Sequence, residues 1–142
     1  MNGAGEPRGT QAAARLGIVI LAVEDLQRAA TFYNRLFAWP HQVDSPSYIE
    51  LLLPEGMRLG LYDRHGFARN TGQAPVPVPS GDIAATELYL YVDDVAATLA
   101  RATAVGGRLL SPAAPRDWGD EVAYLTDPDG NVVALARPSR AA

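Results

Sequence analysis

The sequence predicts an α+β fold in which two tandem βαβββ modules enclose a cleft for a small molecule. Three observations carry this. A strand, a helix and three further strands occur in the same order twice along 142 residues. Val23 and Asp25 at the first strand-to-helix junction match Val92 and Asp94 at the second, and both pairs lie 69 positions apart. A proline-rich stretch separates the two copies. A repeated supersecondary unit specifies a fold more strongly than either copy alone.

The elements follow in order. Residues 1–15 read as a flexible leader, without the apolar core of a signal peptide. Residues 16–65 form the first module. Residues 16–23, LGIVILAV, make a short apolar run rich in β-branched side chains, as a buried strand does. Asp25 can accept the free N–H groups of a first helical turn. Leu26, Ala30, Tyr33 and Phe37 then recur at helical spacing, with Ala29, Phe32 and Leu36 widening the stripe. Trp39-Pro40 ends the helix, because a residue before proline is pushed out of the α region. Strands are expected near 41–44, 47–53 and 57–63, with Pro54-Glu55-Gly56 as a turn.

Residues 66–86 read as a linker, since Pro75, Pro77 and Pro79 favour an extended chain. Residues 87–137 repeat the order. ELYLYV is a strand, Asp93-Asp94 caps a helix with Val95, Leu99, Ala102 and Val105 on its buried side, and Gly106-Gly107 stops it. Strands at 108–111, 121–126 and 131–136 complete the copy, with Asp127-Pro128-Asp129-Gly130 turning the last pair. Residues 138–142 are a tail.

Composition narrows the function. The chain is 48% hydrophobic, enough for a core, and has no cysteine, which removes disulfides and thiolate ligands and fits a cytoplasmic protein. No window suits a membrane helix. A net charge of −4 disfavours nucleic acid. His41 and His65 are the only histidines, so imidazole for metal or acid–base work is scarce.

VEDLQRAATFYNRLF in the first copy, with VDDVAATLARATAVGGRLL and DWGDEVAYLTDPDGNVVAL in the second, resembles the vicinal oxygen chelate superfamily. That superfamily contains glyoxalase I, bleomycin-resistance proteins and extradiol dioxygenases. The resemblance covers roughly residues 16–137. It implies that each module curls into half of an incomplete barrel, that the inner faces hold the site, and that the chain forms a homodimer. It also implies where a divalent ion would be held: on the first and last strands of each module. Those four positions fall on Ile18, Gly60, Glu87 and Ala134. Only Glu87 can donate to a metal, whereas a bound divalent ion needs three or four converging ligands. The expectation is therefore no metal and no cofactor.

Strand alternation places residues two apart on one face. With Glu87 inward, Tyr89 and Tyr91 are inward too. The same parity adds Ile18 and Ile20 from the first strand and Arg58 and Tyr62 from the fourth. Trp118, flanked by Arg116 and Asp120, stands at the rim. The candidate ligand-binding set is thus Ile18, Ile20, Arg58, Tyr62, Glu87, Tyr89, Tyr91 and Trp118, an apolar, aromatic surface with few polar groups. Glu87 is also the candidate catalytic group, if apolar walls raise its pKa.

Two functions remain open. One is a binding protein of the bleomycin-resistance type that sequesters a cationic or aromatic natural product. The other is an enzyme: a metal-free isomerase, lyase or cyclase using Glu87, or a metal-dependent lyase or dioxygenase with relocated ligands.

Overall fold

A computed structural model describes residues 12–139; most of the leader and the last three residues of the tail lie outside them. The first module contains β1 (Val19–Val23), α1 (Leu26–Phe37), β2 (His41–Asp44), β3 (Tyr48–Leu52) and β4 (Arg58–Asp63). Helix α2 (Arg64–Thr71) follows directly. The second module contains β5 (Glu87–Tyr91), α3 (Val95–Ala104), β6 (Arg108–Pro115), β7 (Asp120–Thr126) and β8 (Val132–Pro138). Each module is a four-stranded mixed sheet, ordered β1-β4-β3-β2 and β5-β8-β7-β6. In both, the first strand runs parallel to the last and the other neighbours are antiparallel. The repeat seen in the sequence is therefore a repeat of topology. No described helix is long and apolar enough to cross a membrane.

Both expected caps form. The Asp25 carboxylate accepts from the Arg28 N–H at 3.1 Å, and Asp94 accepts from the Ala97 N–H at 2.9 Å. Helix α1 ends on Ala38 in the left-handed region at φ 54°. The chain then turns Trp39 back, so that its ring stacks on Phe37 at 4.4 Å and lies parallel to Tyr33 at 6.2 Å.

Three expectations need correction. The linker at 66–86 does not begin as extended chain, because α2 occupies Arg64–Thr71. Asp63 starts this helix by accepting from the N–H groups of His65 and Gly66, and Gly72 ends it at φ 82°. Its Gly66, Asn70 and Thr71 are poor helix formers, so propensity concealed it. Ile18 precedes β1 and is not on it. Strand β6 continues through Pro112 to Pro115, which an edge strand with register shifts tolerates.

Alternation within the strands separates two faces of each sheet. Leu21, Val23, Ile49, Leu51, Leu59 and Leu61 of the first sheet face the helices. So do Ala123, Leu125, Val133 and Leu135 of the second, and all join one continuous cluster with the buried sides of α1 and α3. The modules thus share a single core.

A buried carboxylate locks that arrangement. Asp127, 2% exposed, accepts from the Tyr33 hydroxyl of α1 at 2.7 Å. It also accepts from the N–H groups of Asp129 and Asn131, both at 2.9 Å, and from Asn131 Nδ2 at 3.0 Å. The β7–β8 turn is thereby shaped by its own aspartate and fastened to the other module. Asp129 adds a second tie, accepting from the Glu24 N–H at 2.9 Å.

Replacing Tyr33 by Phe keeps the ring packing and removes one donor from a buried charge. Such a loss costs about 1–3 kcal/mol. Chemical denaturation of Tyr33→Phe is expected to show a loss of that size, with an unchanged dependence on denaturant; stability equal to wild type would show that Asp127 does not need this donor.

Candidate functional site

The faces turned away from the helices carry most of the candidate residues, and the structure sorts these into two groups. On the first sheet Ile20, Arg58 and Tyr62 share the open face, while Ile18 sits just before β1. On the second sheet Glu87, Tyr89 and Tyr91 share the open face of β5, and Trp118 reaches it from the β6–β7 turn. Among the described residues, no hydrogen bond, ion pair or ring contact joins one group to the other. The shared core joins the sheets through their helix-side faces, so within one chain the two groups stand on separate surfaces.

On the first sheet the sequence puts Tyr48 and Glu50 on one strand face without deciding which, and the structure decides it. Tyr48 and Glu50 lie on the open face because Ile49 and Leu51 point into the core. The Tyr48 hydroxyl donates to Glu50 Oε1 at 2.8 Å, and Glu50 Oε2 lies 3.5 Å from Arg58 Nη1. The Glu50 side chain is 12% exposed. Burial pushes the Tyr48 phenol well above its ordinary pKa, and the hydrogen bond to Glu50 pushes it further. Tyr62 packs against Tyr48 at 5.0 Å, and Phe67 of α2 meets Tyr62 edge-on.

On the second sheet the polar ends of three aromatic residues converge. Tyr89 donates to Asp120 Oδ2 at 2.6 Å, and Tyr91 donates to the same oxygen at 3.2 Å. Trp118 Nε1 donates to the Tyr89 hydroxyl oxygen at 2.7 Å. Asp120 is 8% exposed, whereas Tyr91 and Trp118 are 67% and 59% exposed. The hydrogen bonds are thus satisfied inward while the ring faces remain open. Desolvation, then the bond to Asp120, raises the Tyr89 pKa; the Asp120 charge is the main cause for Tyr91. Arg116 has a structural task. It donates to the Val122, Pro112 and Ser111 oxygens and lies over the Tyr124 ring at 5.1 Å, which staples the β6–β7 hairpin. Glu87 is exposed at the first position of β5 and lacks the apolar walls expected of an acid–base group.

A cavity of about 260 Å³ lies beside β1, between Ile20, Ala22 and Phe67 and the extended chain at Pro75–Val78. No three of His, Cys, Asp and Glu among the described residues are placed to hold a metal ion. The signal for Glu50 was present as an acid inside SYIELLL, but Leu52 and Leu53 blur the alternation there.

Residues 18–136 match the family model described as a glyoxalase-like domain. The chain is 30% identical over 129 residues to the protein named "Putative glyoxylase CFP32" of Mycobacterium tuberculosis; the match covers 86% of this chain and 45% of that protein, so the chain spans about half of that relative's length. A glyoxalase-related enzyme from Fulvimarina pelagi superimposes with a TM-score of 0.76 at 26% identity, covering 87% of this chain and 88% of the other. A glyoxalase/bleomycin resistance protein/dioxygenase family enzyme from Burkholderia phytofirmans gives a TM-score of 0.73 at 23% identity, covering 87% and 98%.

The tied phenols make a measurable prediction. Tyr33, Tyr48, Tyr89 and Tyr91, four of six tyrosines, have pKa values raised above the ordinary 10.0. In an ultraviolet titration the folded protein should show a smaller phenolate signal at pH 10 than the unfolded chain. In Asp120→Asn the signal should move toward lower pH. Superimposable titrations of wild type and Asp120→Asn would contradict the geometry of this cluster.

Proposed function

The chain belongs to the glyoxalase-like domain family, within the vicinal oxygen chelate superfamily, and from that premise we propose that it binds a cationic or aromatic small molecule without the family's metal ion. The observation that carries this reading is the cluster of Trp118, Tyr89 and Tyr91 around Asp120. Tyr89 and Tyr91 donate inward to one carboxylate and Trp118 donates to the Tyr89 oxygen, which leaves ring faces toward solvent over a nearly buried negative charge. Such a surface attracts a flat ring by stacking and a positive group by cation–π and Coulomb attraction. It offers little to an anion.

The donor set supports the metal-free part. At the family's ligand positions Ile18, Gly60 and Ala134 have no donor atoms in their side chains, and a lone carboxylate at Glu87 does not supply the ligands that a divalent ion requires. A homodimer fits the same reading. Strands β1 and β5 each have one edge unpaired in their own sheets, and the open faces of two chains could then meet around one ligand. The role that follows is sequestration of a natural product.

A thermal-shift screen of cationic and aromatic natural products tests the proposal. A ligand present at about 100 times its Kd adds about 2.7 kcal/mol to the stability of the fold. Hits should raise the melting temperature of wild type, and Trp118→Ala and Asp120→Asn should abolish most of the shift. Glu87→Gln should alter it only if the ligand reaches the start of β5. Hits that ignore both Trp118→Ala and Asp120→Asn would remove this cluster from the site.

A further inference from the structure

The cavity beside β1 is roofed by the extended chain from Pro75 to Val78, and this roof is tied at both ends. Arg64 Nη1 donates to the Pro75 oxygen at 3.1 Å, and the Ala84 N–H donates to the Gly130 oxygen at 2.8 Å. Between these ties Val78 lies on Gly130, where an added Cβ would stand 3.0 Å from Val78 Cγ1. Pro75 and Pro77 stiffen the backbone of the roof.

The cavity has a charged end and an apolar body. Val23 and Asp63 are the last pair of the β1–β4 ladder, so Glu24 and Arg64, which follow them, stand close together. Asp129 joins them by accepting from the Glu24 N–H at 2.9 Å. Ile20, Ala22, Phe67, Val76 and Val78 supply apolar wall. At about 260 Å³ the space lies below the roughly 300–1,000 Å³ typical of drug-sized ligands, so it suits a smaller molecule.

Asp129 is short of donors. Its side chain is 10% exposed. Oδ1 takes the Glu24 N–H and lies 3.5 Å from Arg28 Nη2, while Oδ2 is buried with no partner among the described residues. Asp127, two residues earlier in the same turn, has four donors. A buried carboxylate oxygen without a donor bears its desolvation penalty in full. The polar neighbours are committed elsewhere: Thr86 donates to Asn131 Oδ1 at 2.6 Å, and Asn131 Nδ2 donates to Asp127. In the cavity wall the carboxylates of Glu24 and Asp129 outnumber the one guanidinium, and Arg64 is already turned to Pro75. That balance favours a cation.

We propose that this cavity is a second binding site, which takes a small primary amine with an apolar body. The ammonium group donates to Asp129, and the hydrocarbon lies against Phe67 and Val78. No residue of its wall belongs to the Trp118 cluster, so the proposal stands apart from the reading above.

Titration of isoamylamine into Trp118→Ala protein, followed by NMR, tests it, because that background removes the aromatic cluster. The methyl signals of Ile20, Val76 and Val78 should shift and saturate. Isocaproate, which carries a carboxylate on the same hydrocarbon, should bind at least about tenfold more weakly. Adding Asp129→Asn should weaken the amine by at least about tenfold, the effect of losing one hydrogen bond to a charged group. Ala84→Phe narrows the cavity without touching Asp129. It should weaken the amine as well, and it keeps the test decisive if Asp129→Asn does not fold. No saturable shift of those methyl groups, equal binding of amine and carboxylate, or indifference to both substitutions would overturn the proposal.

Discussion

The buried carboxylate of Asp127 is the constraint on which the arrangement of the two modules depends. A charge with 2% exposure is tolerated only when its oxygens are fully employed. Three of its four donors come from its own turn, and those alone would shape a local loop. The fourth, Tyr33, belongs to the other module's helix. The turn between β7 and β8 therefore cannot drift from α1 without stranding a charge. Asp129 shows how tight the junction is, since its Oδ2 is buried without a hydrogen-bond partner and desolvation raises its pKa.

Once α1 and α3 are fixed between the sheets, the side chains divide by parity. Positions facing the helices are consumed by the common core. Positions on the other face lie outside that core, and there the chain places five of its six tyrosines and two nearly buried acids. The tyrosines need flat ground to lie on. Gly60 supplies it for Tyr48, and a larger residue there would lift that ring away from Glu50. The glycine at position 60 is thus part of the present surface, which holds its own acids and turns its rings outward.

Much of the fold was legible in the sequence, because its signals are local. Asp25 and Asp94 announce their helices, and Asp127-Pro128-Asp129-Gly130 announces its hairpin. The 69-residue offset then aligns the modules. Helix α2 was hidden because its only strong signals are the terminal Asp63 and Gly72, with weak helix formers between them. The candidate site was legible in part. Parity placed Tyr89 and Tyr91 on one face with Glu87, as it placed Arg58 with Tyr62. It could not show that Asp120 gathers the first two, or that Tyr48 lies over Gly60, because these contacts cross strands. Nor could it show that a shared core on the helix side leaves the two groups on separate surfaces. That depends on how the modules dock, through the shared core and the ties made by Asp127 and Asp129.

The central claim is the proposal that the chain takes up its ligand without the family's metal ion. Metal analysis of wild-type protein, purified without chelators from cells supplied with Ni, Zn, Fe and Mn, tests it most directly. The account predicts far less than one equivalent of any of these metals per chain. Close to one equivalent of a single metal, retained through gel filtration, would contradict it.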